Sequence, residues 1–191
     1  MKRKTFVSIL ILVLAVLFFS QCATTSKNVI SKSEPLSNDK AYFAGVFYYA
    51  CAWSGYGDSY DPYSPELRLV GDNKKNVYMH FTSGHTGGKN PSRPDVLIIV
   101  EVEPGEYTAK SITKMEGYFP RKIMGIPPEL RDKITAESGS VTYLGDFSIV
   151  RHYKGFSSVK YVSEYVYDFE KFQSKIDGEY IIPENFKLKK L

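Results

Sequence analysis

Apolar and polar residues alternate in short runs from residue 41 onward, with the period of two that is typical of β-strands. Val, Ile, Tyr, Phe and Thr fill these runs, and Gly, Pro, Asn and Asp interrupt them. The pattern predicts strands over residues 43–53, 66–70, 76–82, 95–103, 106–112, 134–136, 141–150 and 160–167. Because these strands do not alternate with long helical stretches, we predict a mainly β fold. An antiparallel β-sandwich is the first choice and a barrel the second.

Three turns are predicted between consecutive strands. Gly71-Asp72-Asn73 closes a hairpin between the strands at 66–70 and 76–82. Pro104-Gly105 makes a tight type II turn, because Pro presets φ at the first corner and Gly accepts a positive φ at the second. Residues 137–140 connect the strands at 134–136 and 141–150 as the next pair. One face of the latter strand is expected to carry Val141, Tyr143, Gly145, Phe147 and Ile149.

A short helix is predicted after the last strand. Asp168 is suited to cap it, because its carboxylate can accept hydrogen bonds from the free amides of the first turn. Phe169, Phe172 and Ile176 follow at helical spacing, and Asp177-Gly178 is expected to end the helix.

Residues 1–21 follow a different pattern. Lys2, Arg3 and Lys4 precede a run from Phe6 to Phe19 in which only Ser8 is polar. As a helix this run would be about 21 Å long, shorter than the ~30 Å of bilayer hydrocarbon. A basic start followed by a short apolar run is the pattern of a secretory signal peptide.

The run ends in Phe19-Ser20-Gln21-Cys22, which resembles the lipobox of bacterial lipoproteins. The resemblance implies that signal peptide 1–21 is removed and that Cys22 carries the lipid that holds the protein on a membrane. Phe19 and Gln21 depart from the usual Leu and from the usual Gly or Ala, and in this they resemble the relaxed boxes of spirochaetes and some other bacteria. The alternatives are plain secretion and an uncleaved anchor. Ala23 after the cysteine is no inner-membrane retention signal, which favours the outer membrane of a bacterial envelope.

Two further segments resemble small uncharacterised bacterial lipoproteins with sandwich domains. These are Val100 to Tyr107, with its Pro-Gly-x-Tyr turn, and Ala136 to Phe147, with a Gly-x-x-x-Tyr-x-Gly strand. The predicted organisation is a signal peptide over 1–21, a flexible tether over 22–40 and one domain over 41–191. Ser, Thr, Asn and Lys without apolar periodicity predict the tether.

The charge changes once processing is considered. The whole chain of 191 residues has a formal charge of +4 from 25 Lys+Arg and 21 Asp+Glu. Removal of residues 1–21 would take three basic residues and no acidic one, leaving a balance of +1. A net charge of about +1 does not indicate the basic surface that binds nucleic acid, and we do not expect nucleic acid as a partner.

Motifs for catalysis, metals or cofactors are weak. Cys51 lies in an aromatic run and is expected to be a core thiol rather than a nucleophile. His80, His85 and His152 are all the histidines, and a metal site would need a third ligand that converges with His80 and His85. We therefore expect no cofactor, no metal and no catalytic residue. The alternative is a metal-dependent envelope hydrolase, which requires that the three histidines converge.

One loop has a composition that favours ligand binding. Residues 53–63 contain Trp53, Tyr56, Tyr60 and Tyr63, with two glycines and two aspartates between them. Aromatic loop residues can stack on sugars or contact peptides. The sequence thus predicts a lipid-anchored envelope protein with a structural or binding role and no catalysis. The alternative is a glycan- or protein-binding module that uses these four aromatic residues.

Overall fold

The computed structural model describes residues 29–53, 65–81, 83–84, 96–116, 119–154 and 158–191. These residues form eleven strands, one α-helix and a short 3-10 helix at Pro128–Leu130. The elements are β1 (Ala41–Trp53), β2 (Glu66–Gly71), β3 (Asn76–His80), β4 (Ser83–Gly84), β5 (Val96–Val102), β6 (Gly105–Glu116), β7 (Phe119–Met124), β8 (Ile134–Ala136), β9 (Ser140–Lys154), β10 (Ser158–Val166), α1 (Phe169–Glu179) and β11 (Lys187–Lys189).

The strands form two sheets. The first sheet has the order β10-β9-β1-β4, with β5 beside the first half of β1 and β11 beside the start of β9. The second sheet has the order β3-β2-β6-β7, with β8 beside the start of β6. The predicted mainly β, sandwich-like fold with a short helix is confirmed. The first sheet is mixed, because its two long strands β1 and β9 run parallel from the Ala41–Ser140 pair to the Trp53–Tyr153 pair.

The hairpin between β2 and β3 is confirmed, and Lys74 turns its tip with a φ of 64°. The other two predicted connections do not join neighbouring strands. β5 belongs to the first sheet and β6 to the second, so that Pro104-Gly105 carries the chain across the sandwich. Residues 137–140 likewise lead from β8 in the second sheet to β9 in the first. The two strands of each pair therefore belong to different sheets instead of exchanging ladder hydrogen bonds.

The core between the sheets is built from the inward positions of both. Phe47 stacks on Phe147 of the neighbouring strand, with ring centroids 5.1 Å apart and an interplanar angle of 6°. Phe81 meets Phe47 edge-on at 4.6 Å, and Phe43 meets Tyr107 of the second sheet edge-on at 5.0 Å. Such aromatic pairs each contribute about 0.5–1.5 kcal/mol beyond the area they bury.

The helix covers the outer face of the first sheet. Phe172 and Ile176 are fully buried and Phe169 nearly so, as their helical spacing predicts. They pack on a second cluster, which we call the helix-side cluster. It includes Leu36, Tyr42, Ala44, Val46, Leu97, Ile99, Val141 and Tyr143. The predicted cap is confirmed, since Asp168 Oδ1 accepts a hydrogen bond from Lys171 N at 2.9 Å.

β9 changes the direction of its side chains at a bulge. Tyr143 belongs to the helix-side cluster, whereas Phe147 and Ile149 belong to the core between the sheets. The single face expected for Val141, Tyr143, Gly145, Phe147 and Ile149 is therefore wrong. The register with β1 shifts between Ala44 and Val46, so that an extra residue of β9 lies in the ladder. Gly145 adopts a φ of +112° there, which a glycine tolerates and other residues rarely do.

The described part of the segment predicted as a tether lies against the domain. Val29 forms an isolated bridge with Val100 of β5, and Ile30 N donates to Ile99 O at 2.9 Å. Leu36 is only 3% exposed within the helix-side cluster. The apolar side chain of Leu36 packs there because it covers the part of the first sheet next to the helix.

Candidate functional site

Most residues predicted to bind or to be modified lie outside the described residues. Cys22, Tyr56, Tyr60 and Tyr63 are among them. Trp53 is the last residue of β1, where its backbone pairs with Tyr153, and its side chain is outside the description. The predicted lipid attachment and the aromatic ligand surface therefore stay predictions.

The described histidines lie on different sheets. His80 ends β3 in the second sheet, with its Nδ1 atom 3.8 Å from Glu66 Oε2. His152 lies in β9 of the first sheet and pairs with Lys160, while His85 is outside the described residues. Within the described ranges no group of three His, Cys, Asp or Glu side chains could hold a metal ion. Cys51 is described only as a backbone position of β1.

The bulge in β9 creates a polar cluster that the sequence did not predict. Because Gly145 adds a residue to the strand, Asp146 pairs with Val46 and lies on the same side of the sheet as Tyr143. The Tyr143 hydroxyl donates a hydrogen bond to Asp146 Oδ1. Lys171 of α1 reaches the other oxygen, Oδ2, at 2.9 Å. The cluster thus joins the strand to the first turn of the helix.

Burial keeps the Tyr143 hydroxyl of this cluster protonated. Tyr143 is fully buried and its ring stacks on Phe172, with centroids 4.4 Å apart and an interplanar angle of 9°. Burial, followed by the hydrogen bond to the Asp146 carboxylate, raises the pKa of Tyr143 far above its ordinary value. The phenol is therefore a constant hydrogen-bond donor. The cluster supports the helix, because Asp146 contacts both the Tyr143 hydroxyl and Lys171. None of its three side chains is an activated nucleophile.

A cavity of about 280 Å³ opens beside this cluster. Its charged lining is three carboxylates and one ammonium, from Asp146, Glu164, Asp168 and Lys171. The volume lies just below the ~300–1,000 Å³ of typical ligand sites. Two of the carboxylates are already used, Asp146 by its neighbours and Asp168 as the helix cap. Among the described residues, Glu164 is therefore the charged lining residue that is not used by the cluster or by the helix cap.

A second cavity, of about 530 Å³, lies between the 3-10 helix, β8 and β11. Its charges are mixed in sign and paired locally. Lys189 bonds to Glu137, and Lys133 bonds to Glu106 and to Asp72, the latter at 3.2 Å. The neighbouring lysine holds the pKa of Glu137 below its usual range through a hydrogen bond and charge attraction. Because its lining contains both acidic and basic side chains, this cavity has no single preferred ligand charge.

Sequence patterns contained one usable signal for the Tyr143 cluster. Gly145 interrupts the strand directly before the acidic Asp146, and an isolated glycine inside a strand pattern suggests a bulge. Nothing local predicts the partner Lys171, which is 25 residues away and arrives with the helix.

The described structure thus defines a class of fold, a mainly β sandwich of two sheets with one helix on the outer face of the mixed sheet. No protein-family model, curated protein or solved structure matches the chain. Of the helices in the described ranges, none has the length and hydrophobicity needed to cross a membrane.

Proposed function

We propose that the protein is a bacterial envelope lipoprotein, attached to a membrane through a lipid on Cys22, whose sandwich domain has a structural or binding role. The sequence of residues 2–22 carries the proposal. Basic Lys2 to Lys4, the apolar run and Phe19-Ser20-Gln21-Cys22 occur in the order that lipidation requires. The outer membrane is the favoured location, and several acyl chains would make the attachment firm.

The contacts of Val29 support this arrangement. Val29, the first described residue that pairs with the sheet, lies seven positions after Cys22. That length reaches at most about 25 Å, so that the anchored domain would stay close to the membrane. Val29 lies beside β5, at the edge of the first sheet opposite β10. The side of the domain next to β10 would then point away from the attachment.

Metabolic labelling with palmitate tests the anchor. We expect label on the wild-type chain and none on Cys22→Ser, because the acylated thiol is absent. Cys51→Ser is the matched control, since it removes the other of the two cysteines and should keep the label. Equal labelling of wild type and Cys22→Ser would refute the lipid attachment. Loss of label in Cys51→Ser but not in Cys22→Ser would also refute it, because the acyl group would then be on Cys51.

A binding role would use the loop that follows β1. β1 is a long strand inside the first sheet, and it ends at Trp53, the first of the four aromatic residues predicted to bind. Chemical cross-linking in the native envelope, followed by recovery of the anchored protein, should give one stoichiometric protein or glycan partner. Tyr60→Ala should reduce that product, and Phe119→Ala, at an aromatic residue 77% exposed elsewhere, should not. An unchanged product in Tyr60→Ala would exclude the loop as the contact.

A further inference from the structure

β10 is an edge strand with a self-complementary charge pattern. Among the described strands it pairs only with β9, so one side of its nine-residue backbone has no ladder partner. Exposed edges of this length are templates for pairing with another chain unless they are blocked. The neighbouring edge strand β7 contains Pro120, which has no N–H to donate. β10 contains no proline.

The outer face of β10 presents Lys160, Val162, Glu164 and Val166 at alternate positions. Val162 and Val166 are each 47% exposed, which is unusual for valines in a strand. The opposite face presents Tyr161 and Tyr165, which pack on the core between the sheets. The exposed valines are therefore not needed to hold β10 on its own domain.

Lys160 and Glu164 cannot neutralise each other within one chain. They are four positions apart along an extended strand, a distance of about 13 Å, with Val162 midway between them. Neither forms an ion pair with another residue of the described ranges. An antiparallel copy of the same strand, centred on Val162, would place Lys160 directly opposite Glu164 of the other copy, twice.

We propose that β10 pairs with β10 of a second copy of this chain, antiparallel and centred on Val162. The two first sheets then continue into one sheet across a twofold axis, as isologous interfaces require. Val162 meets its own counterpart at the axis, and one Lys160–Glu164 pair lies on each side. Opposite charges directly across two strands stabilise the pairing, and like charges oppose it. The proposal goes beyond the lipid anchor and does not depend on it.

The interface is expected to be small. A strand pair buries less than the ~800 Å² per partner of a standard stable interface. The dimer should therefore be reversible and sensitive to salt, because its specific contacts are exposed ion pairs. Attachment of both copies to one membrane would favour it by raising their local concentration.

Cysteine cross-linking of the full chain, in bacterial cells treated with a membrane-permeant oxidant, tests the register wherever the protein resides. In Val162→Cys the two Cα atoms would be about 4.5–5.5 Å apart, within the range that a disulfide spans. Val166→Cys is the matched control, since it has the same residue type and exposure on the same face. Its two copies would be about 27 Å apart and could not be joined. The unsubstituted chain, with Cys22 and Cys51, gives the background.

We expect a disulfide-linked dimer in Val162→Cys, with the linked peptide identified by mass spectrometry, and background levels in Val166→Cys. Equal cross-linking of both variants would overturn the register. Absence of a dimer in Val162→Cys, or linkage only to a different protein, would overturn the proposal.

Charge reversal tests the ion pairs in the Val162→Cys background. Lys160→Glu or Glu164→Lys alone places like charges opposite each other and should weaken association by about tenfold. The double variant exchanges the two charges and should restore the cross-link. Because both side chains are exposed, folding should be unaffected. If the double variant stays as weak as the single variants, the proposed pairing is wrong.

Discussion

Replacement of Gly145 by alanine tests the bulge that divides the two faces of β9. Gly145 has a φ of +112°, a conformation that costs a residue with a Cβ about 1–3 kcal/mol. A Cβ at this position would lie 2.3 Å from Cε2 of Tyr165 and 2.7 Å from its Cζ and hydroxyl oxygen. Overpacking of this kind costs about 1–3 kcal/mol more.

Tyr165 has little freedom to give way. Its hydroxyl donates to Leu144 O at 3.0 Å, and its ring packs on Phe147 with centroids 5.1 Å apart. The two costs should therefore add, and we expect Gly145→Ala to lower the free energy of unfolding by about 2–6 kcal/mol. A domain with the usual ~5–15 kcal/mol of stability would lose a large part of it.

Equilibrium unfolding in urea, followed by circular dichroism, measures the loss. Gly178→Ala is the matched control: this glycine lies in α1, and nothing is within 4 Å of its added Cβ. That substitution should be neutral or stabilise the protein by up to ~1 kcal/mol through helix propensity. In a Tyr165→Ala background, Gly145→Ala should cost only the backbone part. A change below about 0.5 kcal/mol in the wild-type background, or the same cost in both backgrounds, would refute the reasoning.

Three further predictions concern the helix and the buried tyrosines. Phe172→Ala should lower the free energy of unfolding by about 3–5 kcal/mol in urea titrations, because its fully buried ring seats α1 on the sheet. Asp168→Ala should cost about 1 kcal/mol in the same assay by removing the cap on Lys171 N, whereas Asp168→Asn should cost less. Burial raises the pKa of Tyr180 to about 12 and also raises the pKa values of Tyr143 and Tyr165. Since the unfolded chain loses these protons from about pH 10, stability should fall as the pH rises from about 10 to 12. A titration of phenolate absorbance and circular dichroism should show ionisation of these tyrosines together with unfolding, and early ionisation in the folded state would contradict this.

Local patterns predicted what depends on neighbours in the sequence. The alternation of Leu67 and Leu69 with polar residues gave an inward face, and both side chains are fully buried. Asp168 was predictable as a cap because its contact is with an amide three residues away. The turn at residues 71–73 was predictable because the strands on either side of it are partners.

Strand pairing was harder, since it depends on distant residues. A Pro104-Gly105 turn fits a hairpin and a crossing between sheets equally well. The choice depends on β1, whose residues 41–47 provide a ladder partner for β5. Nothing between residues 96 and 112 contains that information, so the type II turn was expected to connect partners that the fold separates.

The same limit applies to the features with functional meaning. Asp146 and Lys171 each look like ordinary polar residues in the sequence, and they form a cluster only because the Gly145 bulge turns one of them toward the helix. Lys160 and Glu164 were predicted correctly as part of a strand. On a central strand, these two side chains would lie beside a further strand of the same chain. The pairing order puts that strand at an edge, where the same two charges face outward and are complementary to those of an antiparallel copy. A charge pattern within a strand therefore becomes a hypothesis about assembly only when the topology of the sheet is known.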